Sequence, residues 1–237
     1  MAQKLTEFDL PIAQSALDIE DKTRSNIFTW RGQFSPQLIE SLLFAYCPRN
    51  ATVLDPFVGS GTVLYEAACF GLPAFGYEVN PAAWILSRIY GFANLESNKR
   101  SENLNSVRDK LENYFPRLLL FDAHSSKEVD LTNFHHALSN IYSCVDNHEK
   151  AIIDALVILL DLENSVLTVD RIHHTFSSLC QVINNLPYSE LPILSSLCDA
   201  RSLPLEEDSI DFVITSPPYI NVFNYHQNYR RSAEALG

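Results

Sequence analysis

Hydrophobic and polar positions follow two different rhythms along the chain. Over residues 37–46, Leu38, Ile39, Leu42 and Leu43 recur at helical spacing behind Ser35-Pro36, a capping residue followed by a proline suited to the first helical position. Residues 51–55 form a short apolar run that reads as a strand. Residues 62–70 read as a helix closed by Gly71, 74–78 as a second strand, and 81–89 as a helix opened by Asn80-Pro81. This strand, helix, strand, helix order predicts a parallel sheet with helical crossovers.

The rhythm then changes. Between residues 94 and 188 the periodicity is helical throughout: 104–120 (bent or split at Pro116), 131–144, 150–162 and 169–186. Strand-like runs resume at 193–198 and 210–215. The expected organisation is an N-terminal extension over 1–30, a ligand-binding part over 31–93, a helical insertion over 94–190, and the continuation of the first part over 191–237. The expected fold class is α/β, a doubly wound Rossmann-like sheet with a helical insertion.

Composition adds little to this picture, and charge adds more. A hydrophobic fraction of 46% and a charged fraction of 19% are those of an ordinary globular protein. Neither an apolar run of membrane-spanning length nor a signal-peptide core is read, so a cytoplasmic location is expected. The five cysteines are widely spaced and include no Cys-x-x-Cys pair, which suggests buried thiols rather than a disulfide framework or a zinc knuckle. The net charge of -12 runs against contact with a phosphate backbone, which favours a basic face. Arg230-Arg231 is a candidate local exception.

Candidate chemistry begins at Val53-Leu54-Asp55-Pro56-Phe57-Val58-Gly59-Ser60-Gly61-Thr62. A dinucleotide fingerprint wants a third glycine where Leu64 stands, and a phosphate-binding loop wants a lysine that is absent. Asp55 repels phosphate but attracts an ammonium. The glycines let the backbone approach a ligand closely. Glu78 closes the second strand about twenty residues on, where a carboxylate can grip ribose hydroxyls. Asp199 follows the third strand and can accept from an adenine amino group. Ammonium, ribose diol and adenine together describe S-adenosylmethionine.

Ser216-Pro217-Pro218-Tyr219 follows the fourth apolar run, at the strand end where a parallel sheet places its chemistry. Two prolines stiffen the backbone and remove two N–H donors, leaving carbonyls and the Ser216 hydroxyl as acceptors. Such acceptors suit an exocyclic aromatic amine, a poor nucleophile that gains from being held in line with an electrophilic methyl group. Tyr219 is placed to stack on a base flipped out of a duplex.

Asp55 to Thr62 and Thr215-Ser216-Pro217-Pro218-Tyr219 resemble the amino-group DNA methyltransferases, cytosine-N4 and adenine-N6, and Gln33-Phe34-Ser35-Pro36 resembles that family's methionine-side segment. The opening serine of the clamp is closer to the cytosine-N4 subgroup. The resemblance implies a cofactor site of Phe34, Ser35 and Pro36, of Asp55, Pro56, Phe57, Gly59, Ser60, Gly61 and Thr62, and of Glu78, Asp199 and Ala200. It implies target-base contacts from Ser216, Pro217, Pro218 and Tyr219, S-adenosylmethionine as cofactor, DNA as partner, and a place in a restriction-modification or related system. Adenine-N6 DNA and guanine-N2 RNA methyltransferases remain alternatives, as does a half-enzyme acting as a binding subunit. The four strands read here are fewer than that fold normally has. The expectation is therefore an incomplete sheet, inactive or nearly so alone, either a truncated fragment or one half of a split enzyme whose missing strands a second polypeptide supplies. Neighbouring histidines at His135-His136 and His173-His174 point in different directions on a helix, and no metal site is expected from them.

Overall fold

The structure is a computed structural model that describes residues 11–14, 26–28, 33–117, 127–163, 166–218 and 229–236. The chain forms two compact units. One comprises Met1–Asn94 and Pro187–Phe223, the other Leu95–Leu186 and Asn224–Gly237.

The first unit is built on a four-stranded parallel sheet: β1 Val53–Asp55, β2 Ala74–Glu78, β3 Ile193–Leu197 and β4 Phe212–Val213 in the order β3-β2-β1-β4. Val53 pairs with Ala74 on one side and Phe212 on the other, and Ala74 pairs with Ile193. Helices α1 Pro36–Tyr46, α2 Thr62–Cys69 and α3 Pro81–Arg88, with a 3-10 turn over Ile89–Asn94, belong to the same unit. Each start has a local cause. Ser35 Oγ accepts the Leu38 N–H, and Asn80 Oδ1 accepts the N–H groups of Ala82 and Ala83. Val63, Leu64 and Ala67 of α2 and Ala83 and Leu86 of α3 are buried. Gly76 is required by that packing, since a Cβ there would stand 2.6 Å from Val58 Cγ2.

The second unit contains α4 Ser97–Tyr114, α5 Leu131–Tyr142, α6 Asn147–Leu159, α7 Val169–Asn184 and α8 Arg230–Glu234. Its core includes Leu104, Leu111, Phe134, Ile141, Ile152, Ile153, Phe176 and Ile183. Buried Arg100 closes the end of α7 by donating to the carbonyls of Ile183 (3.3 Å) and Leu186 (2.6 Å). Ser232 Oγ accepts the Leu162 N–H at 3.0 Å and ties α8 to the loop after α6. Buried His173 donates through Nε2 to the Phe115 carbonyl at 2.7 Å, so its ring is used in closing α4. Beyond the helices, the described part of this unit has an isolated antiparallel bridge between Glu128 and Thr168.

Several boundaries differ from the sequence reading. α4 begins at Ser97, seven residues before the expected start at 104, because its first turns are polar apart from their spacing and hide no apolar stripe. α6 begins at Asn147, set by a capping box between Asp146 and Glu149. β4 is two residues where the apolar run 210–215 suggested six. Asp211 is held before the strand by its carboxylate on the Thr52 N–H, and the chain leaves the ladder soon after Ile214. No helix of the described residues is long and apolar enough to cross a membrane.

Candidate active site

The carboxyl ends of the four strands collect the residues singled out in the sequence. Asp55 ends β1, Glu78 ends β2, Asp199 lies two residues beyond β3, and Thr215-Ser216 follows β4. A parallel sheet concentrates ligand chemistry at this end.

Asp55 is buried. Its Oδ1 accepts the Phe57 N–H at 3.1 Å and the Thr215 hydroxyl at 2.7 Å, while Oδ2 accepts no hydrogen bond from a described residue. Burial pushes its carboxyl up to about 7, the Thr215 and Phe57 hydrogen bonds pull it down, and the Glu78 charge raises it further. A buried carboxylate with an open oxygen is a receptor for a cation.

After β1 the chain turns through Gly59 (φ 53°) and Gly61 (φ 99°), the residue before α2. Gly61 is required twice over. Its φ lies in the left-handed region, and a Cβ would stand 2.3 Å from the Tyr90 ring. The turn is pinned to β2 by the Val58 N–H on the Tyr77 carbonyl and by the Gly59 N–H on Glu78 Oε2 at 3.0 Å. Glu78 Oε1 accepts the N–H groups of Val79 and Asn80, both at 2.9 Å.

Residues 33–36 lie against the same turn. Ser60 Oγ donates to Gln33 Oε1 at 3.3 Å, and Asn26 Nδ2 donates to both the Phe34 carbonyl (2.7 Å) and Thr62 Oγ1 (2.9 Å). A cleft of about 250 Å³ opens beside them, lined by Asn26, Ile27, Pro36, Thr62, Tyr65, Glu66 and Tyr90. Phe57 is exposed at 36% and faces solvent from the rim of the turn.

Asp199 differs from the expected open acceptor. Its Oδ1 accepts the Arg201 N–H (2.9 Å) and Nε–H (3.0 Å), and its Oδ2 accepts from Arg201 Nε (3.1 Å) and Nη2 (2.6 Å). The Arg201 guanidinium holds the Asp199 carboxyl down to about 2. Ala200 is half-buried in this turn.

Ser216 is half-buried, and Pro217 and Pro218 are exposed. Tyr219 lies outside the described residues, as does the segment that follows it to 228. The sequence reading gave no role to three residues: Thr215, Asn26 and Arg201. Thr215 opens the Thr-Ser-Pro-Pro-Tyr motif and Arg201 stands two residues past Asp199, but only their partners give them a role. Asn26 carries no sequence signal at all.

A family model for DNA methylases, of the N6 and N4 type, matches residues 13–86. The type II methyltransferase M.BsoBI of Geobacillus stearothermophilus is 23% identical over 90% of this chain and 52% of its own length. The type II methyltransferase M.MjaII of Methanocaldococcus jannaschii is 27% identical over 35% of this chain and 16% of its own. A third, M.MthZI of Methanothermobacter thermautotrophicus, is 28% identical over 48% of this chain and 33% of its own. These matches make the chain similar to the amino-methyltransferases, most directly over residues 13–86. They do not separate the N4 from the N6 branch. The chain spans about half or less of the length of these curated relatives. No solved structure matches it at a significant level.

The methyl donor of this family is S-adenosylmethionine. Its demands fit the residues present: an ammonium at the open Oδ2 of Asp55, a hydroxyl at Glu78, and close backbone approach at Gly59. Among the described residues no cluster of His, Cys, Asp and Glu is arranged to hold a metal ion.

Proposed function

We propose that this protein methylates an exocyclic amino group of a base in DNA, with N4 of cytosine as the target, in a restriction-modification or related system. The observation that carries the reading is the neighbourhood of two motifs about 160 residues apart. β1 and β4 are adjacent parallel strands, so the carboxylate ending one and the Ser-Pro-Pro segment following the other stand side by side, joined by the Thr215–Asp55 hydrogen bond. The proposed cofactor motif and amine-accepting motif thus meet at the ends of adjacent strands.

In this reading S-adenosylmethionine supplies an electrophilic methyl group. Asp55 receives the ammonium, Glu78 a ribose hydroxyl, and Asp199 with Ala200 the adenine edge. Pro56, Phe57, Gly59, Ser60, Gly61 and Thr62 shape the floor of the pocket, and Phe34, Ser35 and Pro36 close its methionine side. Ser216 and the carbonyls of its proline neighbours accept the two N–H bonds of the target amine. That pairing draws the nitrogen lone pair out of the ring and holds it in line for attack. Tyr219 stacks on the flipped base. The serine opening the segment favours cytosine over adenine.

The test is mass spectrometry of nucleosides from DNA incubated with isotope-labelled cofactor and the complete enzyme, this chain reconstituted with the polypeptide that supplies the remaining strands. Labelled N4-methylcytosine is the expected product. N6-methyladenine alone overturns the base assignment, and label in RNA alone overturns the substrate class.

A further inference from the structure

We propose that Thr215 is a positioning residue, whose hydroxyl transmits occupancy of the cofactor's amino-acid pocket to the Ser216-Pro217-Pro218 segment. This rests on the reading of Asp55 as the receptor for the ammonium.

β1 and β4 are joined by a short parallel ladder. Val53 pairs with Phe212 and Leu54 with Val213, and the Ile214 N–H donates to the Leu54 carbonyl at 3.0 Å. Past that point the tie between the two strand ends is a side-chain bond, Thr215 Oγ1 to Asp55 Oδ1 at 2.7 Å. Two residues further on the prolines begin, and neither has an N–H with which to rejoin the sheet. The Thr215 hydroxyl is therefore the last described anchor of the accepting segment on β1.

That anchor ends on the group that the cofactor addresses. Oδ1 of Asp55 is taken by Thr215 and the Phe57 N–H, and Oδ2 is left for a ligand. An ammonium at Oδ2 fixes the carboxylate in its ionised form, with Glu78 the neighbouring like charge opposing it. A hydroxyl donating to an ionised carboxylate makes a bond roughly twice as strong as a neutral one. Filling the pocket thus tightens the Thr215 anchor, and emptying it slackens the segment that must hold the amine. The consequence is an order of events: the accepting geometry is set once the methyl donor is in place. What the position needs is a hydroxyl, which serine retains and valine, of similar volume, lacks.

The experiment compares the parent 237-residue chain with Thr215→Val, Thr215→Ser and Asp55→Asn, using S-adenosylhomocysteine as the probe. Calorimetry gives affinity, and hydrogen exchange of the 214–216 amides, with and without saturating probe, reads the segment. In the parent and in Thr215→Ser, loading is expected to slow exchange at these amides. Thr215→Val is expected to bind about tenfold more weakly, as loss of a hydrogen bond to a charged group implies, and to show no slowing even at saturation. Asp55→Asn, which keeps the shape of the side chain, is expected to lose the slowing too and covers the case of a Thr215→Val chain that fails to fold. A parent that binds the probe with unchanged exchange at 214–216, or a Thr215→Val chain that keeps the parent's response, overturns this proposal alone. A parent that takes up no probe overturns the cofactor reading beneath it.

Discussion

Glu78 Oε2 accepts the Gly59 N–H at 3.0 Å, tying the end of β2 to the glycine turn that follows β1. The other oxygen of the same carboxylate is filled by the Val79 and Asn80 N–H groups. A carboxylate oxygen offers about two acceptor sites, so Glu78 keeps one place for a ligand hydroxyl while it organises the turn. Cofactor analogues lacking one or the other ribose hydroxyl should therefore differ: one loses about tenfold in affinity and the other little. Equal losses in calorimetry would show that Glu78 releases its backbone partners and grips both hydroxyls.

Asp55 makes the site pH-dependent. Its folded carboxyl lies at about 7, against an ordinary value of 3.8. Between these values the folded chain holds a proton that the unfolded chain has lost, so this group's contribution to stability falls as pH rises from about 4 to about 7 and is then flat. Asp55→Asn should remove that fall from the thermal midpoint of the ligand-free chain. Cofactor affinity runs the other way: the ammonium needs the carboxylate, so affinity rises with pH up to about 7. Calorimetry in buffers of different ionisation enthalpy should detect a proton released on binding at pH 6. An affinity that is level across this range contradicts the assignment.

Gly61 should not tolerate a side chain. Alanine there meets both a left-handed φ of 99° and the Tyr90 ring, and should cost about 2 kcal/mol or more. Adding Tyr90→Ala should not rescue the backbone part of that cost. Chemical denaturation of Gly61→Ala, Tyr90→Ala and the double variant separates the two effects. A Gly61→Ala chain as stable as the parent would show that the turn has a different conformation in solution.

Arg201 competes for the oxygen atoms assigned to adenine. It fills both oxygens of Asp199 from a position 88% exposed, where salt screens the pair. Arg201→Ala should therefore tighten binding of S-adenosylhomocysteine, and added salt should do so in the parent more than in the variant. Weaker binding by Arg201→Ala would place the guanidinium itself on the ligand.

What the sequence made legible follows from how local each determinant is. β2 was readable to the residue because Pro73 and Asn80-Pro81 bracket an apolar run, and the acids ending β1 and β2 were readable because chemistry sits at fixed strand ends. The start of α4 was not, since Ser97 to Asn103 shows no apolar stripe and buried Arg100 declares itself only through the Ile183 and Leu186 carbonyls. Nor was the Thr215–Asp55 bond, whose partners stand 160 residues apart. Asp199 reads as an open acceptor in the sequence because nothing there shows that the Arg201 guanidinium folds back onto it. Long-range pairing and the folding-back of a flexible side chain leave no periodic trace.

The proposed cofactor site joins Asp55 and Glu78 at the carboxyl end of the sheet. Calorimetric titration of S-adenosylhomocysteine into the parent chain, Asp55→Ala and Glu78→Ala tests it most directly. Saturable binding by the parent and a loss of about tenfold or more in each variant are expected, with heat-capacity and near-ultraviolet signals showing both variants folded. A parent that does not bind, or folded variants with the parent's affinity, would contradict it.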